Sequence, residues 1–291
     1  MSEGTMFKDH LLELGYACVP IQDGRIHRFK AGARDRGKSG WYVYYPEGIA
    51  VWGDWREGVA HKHYDGKSVS ELTRAERDQI ERRAREAERQ RLEEHRRVAG
   101  WCGEYYSSLA DCPASNAYLS MKGVHPVDGL KEDEAGSLVI PVWGLFDGKL
   151  KVMSLETISV DRYGKSSKRF KSGGKKTGGF FLIGKKSPRM YLAEGIATAL
   201  SIYEATHTST VCGFDAGNLR AVSELFPRTR LTVVADNDKS KTGENGARAT
   251  GRKVVLIPRI DGIKGTDAND YAQRYGLDAL RTGLEEGRWM H

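Results

Sequence analysis

Five carboxylates between residues 194 and 270 are spaced to meet. Glu194 directly follows the apolar run Tyr191-Leu192-Ala193, and Asp236 and Asp238 directly follow Leu231–Ala235. Asp267 and Asp270 follow the run 253–258, "KVVLIP", by one loop. Asp236 and Asp238, separated only by Asn237, cannot both stay ionised at close range without a counter-charge. At a separation of roughly 5 Å and an effective dielectric near 20, two like charges repel by about 3 kcal/mol. A divalent cation removes that repulsion, and an oxygen-only donor set selects Mg²⁺ or Mn²⁺ over zinc. Taken alone, Asp-Asn-Asp reads better as a solvated turn. Three separate segments delivering acids together favour the metal.

A second chemical signal lies just upstream. Between Arg162 and Arg189 the sequence holds ten Lys or Arg and no Asp or Glu, more than the net charge of +7 for the whole chain. Glycines interleave with these cations in "KRFKSGGKKTGG", so the backbone can approach a ligand closely. Such a field suits a polyphosphate or a nucleic acid; the plain alternative is a solvated basic loop. Metal-binding acids beside a basic strip point to phosphoryl or nucleotidyl transfer, with the cations holding triphosphate and template.

The elements that must position these residues follow from pattern. From residue 189 short apolar runs alternate with helical segments: "RMYLA", "IATALSIYEAT", "STVCGF", "GNLRAVSELF", "RLTVVAD", "NGARATG", "KVVLIP" and "DANDYAQRYG". That alternation predicts a parallel sheet flanked by helices, with strand C-termini, and therefore the acids, on one rim. Upstream, 101–123 reads as helical, and "SLVIPVW" and "LKVMSLETI" read as strands around an Asp-Gly turn. Residues 70–97 carry nine Arg and eight Asp or Glu, a nearly neutral, charge-laced helix opened by a Thr73-x-x-Glu76 capping box. Residues 7–68 read as a small β-rich module whose Trp41, Trp52 and Trp55 either fill a core or stack on bases beside Arg25, Arg28 and Lys38.

One motif argues against this placement. "GARDRGKS", 32–39, fits the phosphate-binding pattern G-x-x-x-x-G-K-[ST]. A working P-loop follows a buried strand and opens a helix. Here a charged segment precedes it and the strand-like "WYVYY" follows, so a basic hairpin loop is expected, with Arg34, Arg36, Lys38 and Trp41 contributing to DNA binding. The four cysteines are scattered and form no Cys-x-x-Cys pair; His61 and His63 with Cys18 are a poor zinc set, and no zinc is expected. Hydrophobic residues make up 39% and charged residues 29%, with no apolar run of about 18 residues, so no membrane span is expected. The start of the chain lacks signal-peptide features, and a cytoplasmic location is expected.

The motifs Glu194-Gly195, Asp236-x-Asp238 and Asp267-x-x-Asp270 resemble the Toprim domain of DnaG-type primases, topoisomerases and OLD-type nucleases. "AYLSMKGV" (117–124) looks like the Tyr-Leu-x-x-Arg-Gly element ahead of the primase core, with Lys122 where Arg is usual. "KRFKSGGKKTGGFFLIG" looks like the basic nucleotide-binding strip, and "AEGIATALSIYEA", "CGFDAGNL" and "ADNDKS…NGARA" look closer still to primases of phages and conjugative plasmids. The resemblance covers about 101–275 and, more weakly, 24–60. It implies an α/β fold: a Toprim-type parallel sheet with flanking helices, preceded by a basic α+β primase subdomain, a long charged helix and the β-rich module. The expected divisions are 1–69, zinc-ribbon-like without zinc ligands; 70–100, linker helix; 101–188, first part of the catalytic core; 189–276, Toprim; and 277–291, tail.

By the same resemblance, the activity is RNA primer synthesis from NTPs on single-stranded DNA with Mg²⁺ or Mn²⁺. Glu194, Asp236 and Asp238 would form the catalytic metal centre, with Asp267 and Asp270 supporting it. Lys122, Lys168, Arg169, Lys171 and Lys176 would contact NTP and template. Thr198 stands where bacterial primases often have a further acid, which puts the metal count in doubt. A replicative helicase, if one is engaged, is expected on a separate chain. The rival readings are a Toprim-type metal-dependent nuclease and a non-catalytic single-strand-binding protein.

Overall fold

The computed structural model describes residues 6–32, 35, 37–54, 59–66, 73–238, 241–263 and 265–290. Arg34, Arg36 and Trp55, and the side chains of Glu76 and Asp238, lie outside the described residues. Two compact units divide the chain, 1–88 and 89–291.

In the first unit a short helix α1 (Phe7–Glu13) accompanies four antiparallel strands, β1 (Ile26–Phe29), β2 (Gly40–Tyr45), β3 (Ile49–Asp54) and β4 (Val59–Tyr64), in the order β1-β2-β3-β4. The two-residue period of β2 turns Gly40, Tyr42 and Tyr44 inward and leaves Trp41, Val43 and Tyr45 half-buried. Phe7, Leu11, Phe29, Tyr42, Tyr44, Ala50 and Trp52 make the core. Trp52 therefore serves packing, while Trp41 lies on the less buried face.

The segment resembling a P-loop joins the antiparallel pair β1 and β2, so it is a hairpin connection followed by a strand. Its anion is internal. The buried Asp35 carboxylate accepts hydrogen bonds from the backbone N–H groups of Ala31 (2.8 Å), Gly37 (3.0 Å) and Ser39 (2.7 Å), and from the Ser39 hydroxyl (3.0 Å). Backbone donors that would cradle a phosphate in a P-loop instead close this loop on its own side chain.

Helix α2 (Arg74–Ser108) is longer than expected. It does not close near residue 100, because its last turns carry Val98 and Cys102, which bury with Val139, Val152 and Leu155 of the next sheet. The helix expected over 101–123 is correspondingly broken. After α2 come a two-residue strand, β5 (Ala110–Asp111), and a separate short helix, α3 (Ala117–Lys122), whose cap Asn116 accepts from the N–H groups of Tyr118 and Leu119.

Strands β6 (Lys131–Glu132), β7 (Leu138–Phe146), β8 (Lys149–Val160) and β9 (Ser166–Phe170) complete an antiparallel sheet in the order β5-β6-β7-β8-β9. The Asp147-Gly148 turn joins β7 to β8, as its sequence predicts.

The alternating region then follows: β10 (Phe181–Ile183), β11 (Arg189–Ala193), α4 (Ile196–Thr206), β12 (Thr210–Cys212), α5 (Leu219–Glu224), β13 (Arg230–Ala235), β14 (Asn237–Asp238), α6 (Thr242–Arg248), β15 (Lys253–Leu256), β16 (Gly265–Thr266) and α7 (Ala268–Tyr275). The sheet order is β10-β12-β11-β13-β15, with β12, β11, β13 and β15 parallel and β10 an antiparallel edge. Strands β11 and β12 are buried almost throughout, which explains their unbroken apolar runs. The expected tail is a further helix, α8 (Leu277–Glu286). Leu280 and Leu284 join the core containing Ile196, Leu200 and Tyr271, and Trp289 stands edge-on to Tyr271 at 5.0 Å.

Candidate active site

The parallel register brings two of the acids to neighbouring strand ends. Ala193 of β11 pairs with Val234 of β13, so Glu194 and Asp236 leave the ends of adjacent, hydrogen-bonded strands. Both are partly buried. Beyond Glu194 the chain turns at Gly195, in extended geometry, and enters α4. Behind this elbow lies Cys212, whose thiol donates to the Glu194 carbonyl (3.4 Å) and whose pKa is pushed far up, first by burial and then by the charge of Glu156. Cys212 is therefore a packing residue with no thiolate at neutral pH.

A two-stranded ladder draws in the third segment. Asn237 pairs with Thr266 and Asp238 with Gly265, so Asp236 and Asp267 flank the same ladder end. Asn237 faces its own scaffold: its amide donates to the Ile257 carbonyl (3.0 Å) and accepts from Arg259 Nε (3.2 Å). Asp238 is fixed there by its backbone.

Asp267 and Asp270 form a reciprocal cap on α7. Asp267 Oδ1 accepts from the Asp270 N–H (2.7 Å), and Asp270 Oδ2 accepts from the Asp267 N–H (3.3 Å). Burial raises the Asp270 pKa, helped by Asp267; its hydrogen bond from the Asp267 N–H and the nearby Lys122 oppose the rise.

The basic strip divides by strand alternation. Lys168 of β9 pairs with Ile158 and shares its face of the sheet. Its Nζ lies 3.9 Å from the point where a Gly195 Cβ would stand, beside the Thr198 hydroxyl at 3.8 Å from that point. Burial alone would lower the Lys168 pKa; Tyr118, Glu156, Cys212 and Asp267 raise it above the usual lysine value. Lys176 pairs with Asp215 and sits 4.3 Å over the Phe170 ring. Beneath these cations lies Glu156, only 3% exposed. Burial pushes its carboxyl up to about 7, while Lys168 and Lys176 pull it down and Asp215 pushes it up.

Arg169 alternates to the other face of β9, and Lys171 places its ammonium 3.6 Å over the Trp101 ring of α2. Lys122 ends α3, where its carbonyl accepts from Asn269 (2.7 Å) and Gln273 (2.7 Å), fixing the α3 terminus to α7. The rim thus gathers Glu194, Asp236, Asp267, Asp270, Lys122, Lys168 and Lys176. In the first unit, Lys38 has left-handed backbone geometry (φ 53°) in the hairpin loop and Trp41 lies in β2.

Several site residues escape sequence reading. Glu156 lies inside an apolar strand, and Asp215 and Asn218 sit in "CGFDAGNL", which marks a strand end but gives no role to either. The signal available for Glu156 was its isolation, an acid amid Val152, Met153, Leu155 and Ile158.

The donor set suits a hard cation. Glu194 and Asp236 come from neighbouring strand ends, Asp238 is one residue beyond Asn237, and all offer carboxylate oxygen. Among the described residues no group of three or more His, Cys, Asp or Glu side chains is already arranged around a metal position; the Asp238 side chain is not among them.

The family profile of the Toprim domain matches residues 189–278. Two proteins of Escherichia coli, each named DNA primase TraC, are similar to the chain. One is 30% identical over 267 residues, covering 81% of this chain and 24% of the relative; the other is 27% identical over 269 residues, covering 81% and 18%. The chain therefore spans about a quarter or less of these relatives' length. A DnaG primase catalytic domain bound to ssDNA superposes with a TM-score of 0.41 at 14% identity, covering 68% of this chain and 81% of that one. The zinc-binding and RNA polymerase domains of the Aquifex aeolicus primase give a TM-score of 0.38 at 16% identity, covering 97% and 83%. Residues 189–278 match the Toprim domain family, in a chain similar to two proteins named DNA primase TraC.

Proposed function

We propose that the chain is a nucleotidyltransferase that synthesises short RNA primers from NTPs on single-stranded DNA. The observation carrying this reading is the parallel register that brings Glu194 and Asp236 to the ends of adjacent strands, with the Lys168 ammonium 3.9 Å from the position of a Gly195 Cβ. The relatives' name, DNA primase, supports it.

Glu194, Asp236 and Asp238 would hold Mg²⁺ or Mn²⁺, with Asp267 and Asp270 supporting them. The bound cation would offset triphosphate charge and favour the ionised attacking hydroxyl. The chain's own residues do the rest. Lys168 and Lys176 bind the triphosphate oxygens and orient the α-phosphorus towards the rim, and Lys122 adds a further positive charge beside Asp270. Arg169 on the other face of β9, Lys171 just past its end, and Arg34, Arg36, Lys38 and Trp41 of the first unit hold template. A replicative helicase would deliver that template.

The test incubates the chain with single-stranded templates of varied sequence, NTPs and Mg²⁺, beside Asp236→Ala. Short labelled RNA from the wild type and none from the variant is the expected result. No RNA from any template, or equal RNA from both, defeats the reading. DNA shortened without NTPs would identify a nuclease instead.

A further inference from the structure

The glycine-rich basic loop 171–180 carries Lys176, yet it has little regular structure of its own. What holds it comes from the turn after β12. Asn218, only 4% exposed, uses its whole amide on this connection. Its Oδ1 accepts from the Gly178 N–H (2.8 Å), and its Nδ2 donates to the carbonyls of Gly179 (2.8 Å) and Gly213 (2.9 Å). One side chain therefore ties the loop to the strand end of the parallel sheet. Asp215, three residues earlier, holds the Lys176 ammonium and also caps the 3₁₀ turn by accepting from the Asn218 N–H (2.9 Å).

The loop is shaped for this grip. Gly178 has a positive φ of 72°, and a Cβ on Gly179 would strike Val142 and stand 2.8 Å from the Lys176 carbonyl. Neither position accepts a side chain without moving the loop. Phe170, under Lys176, is itself packed edge-on against Phe214 at 5.7 Å. Lys176 is thus held by the Asp215 carboxylate and by the Phe170 ring, which Phe214 backs.

We infer that Asn218 and Asp215 are positioning residues that clamp the loop 171–180 to the parallel sheet and so aim Lys176 at a nucleoside triphosphate. The ligand in this inference rests on the nucleotidyltransferase reading above; the clamp itself does not. A purely structural role for the pair would lower stability and leave nucleotide affinity independent of Lys176. A positioning role makes the effects of Asn218 and Lys176 one effect.

The experiment compares the full chain with Asn218→Asp, Asp215→Asn, Lys176→Ala and the Asn218→Asp/Lys176→Ala pair. Asn218→Asp keeps the acceptor for Gly178 and sets an oxygen against two carbonyls. Asp215→Asn keeps the turn cap and removes the negative charge that pairs with Lys176, so it serves where the first variant folds poorly. Two readouts are taken: hydrogen exchange at the Gly178 amide, and the Kd of a fluorescent ATP analogue with Mg²⁺.

The expected result for Asn218→Asp is faster exchange across 174–180 with unchanged protection in β11 and β13, and about tenfold weaker nucleotide binding, the scale of one or two lost hydrogen bonds. The pair should bind no more weakly than Lys176→Ala alone. Unchanged exchange at Gly178, or effects of Asn218→Asp and Lys176→Ala that multiply, overturns the inference. If the wild-type chain binds no nucleotide, the function reading fails, and exchange at Gly178 still decides the clamp.

Discussion

Single residues here are held by opposing physical demands, and Glu156 shows this most sharply. Its carboxyl is buried and raised to about 7, against an unfolded value near 4.5. Between those values the folded chain binds the proton that the unfolded chain has lost. Stability from this group therefore falls as pH rises through that window, and the full cost is present above 7. Glu156→Gln should stabilise the chain at pH 8, by at most about 3 kcal/mol, with the difference vanishing as pH falls below 5. Urea unfolding across that range checks it; a constant difference at all pH values would contradict it. Asp35 carries the opposite sign. Burial would raise its carboxyl, but hydrogen bonds from Ala31, Gly37 and Ser39 hold it well below the usual carboxylate range. Its stabilisation is present above the ordinary carboxylate pKa and is lost as pH falls below it. Asp35→Asn should therefore speed amide exchange at Gly37 and Ser39 at neutral pH. Since the loop encloses its own anion, Lys38→Ala should leave any ATP-induced rise in melting temperature unchanged, which thermal scanning of wild type and variant reads directly.

Elements differ in how much of their placement a sequence can express. The alternation after residue 189 is legible because buried parallel strands need continuous apolar runs and their helices do not, and the acids follow those runs directly. The extent of α2 was not legible, since its charged first half hides the few apolar positions, Val98 and Cys102, that dock its end. Nor was the fate of Lys171: spacing places it beside Lys168, but just past the end of β9 its ammonium turns to Trp101. The docking of α8 depends on Leu280 and Leu284 meeting α4 and α7, a tertiary fact with weak local pattern. One close approach between elements yields a direct test. A Cβ on Gly246 of α6 would stand 2.5 Å from the Ala216 carbonyl oxygen, part of a backbone turn that cannot rotate away. Gly246→Ala should destabilise the chain by about 1–3 kcal/mol. Gly195→Ala is the control, because its Cβ would meet Thr198 and Lys168 only at ordinary contact distances, 3.8 and 3.9 Å. Denaturant unfolding of both variants compares them, and equal losses would mean that the α6 contact is not the constraint.

At the scale of the whole molecule, charge is distributed by task. The chain carries +7 overall, yet ten cations without an acid lie between Arg162 and Arg189, while the first half of α2 is nearly neutral. A template strand bound by these cations must release counterions, so affinity for single-stranded DNA should fall steeply with salt, by a logarithmic slope of about 0.7 per phosphate contacted. The two units can then be tested separately. Replacing Arg169 and Lys171 by Ala should lower the slope by about 1.4 if both touch phosphate. Replacing Arg34, Arg36 and Lys38 together should lower it by about 2 if the hairpin loop also lies on DNA. Asp236→Ala should leave the slope unchanged, since a rim acid makes no phosphate contact without metal; the titrations are therefore run in EDTA. Fluorescence anisotropy on one oligonucleotide from low to moderate salt gives all four slopes. A triple variant with the wild-type slope would remove the first unit from the template path, leaving the positive strip beside the Toprim rim as the DNA-binding surface under test.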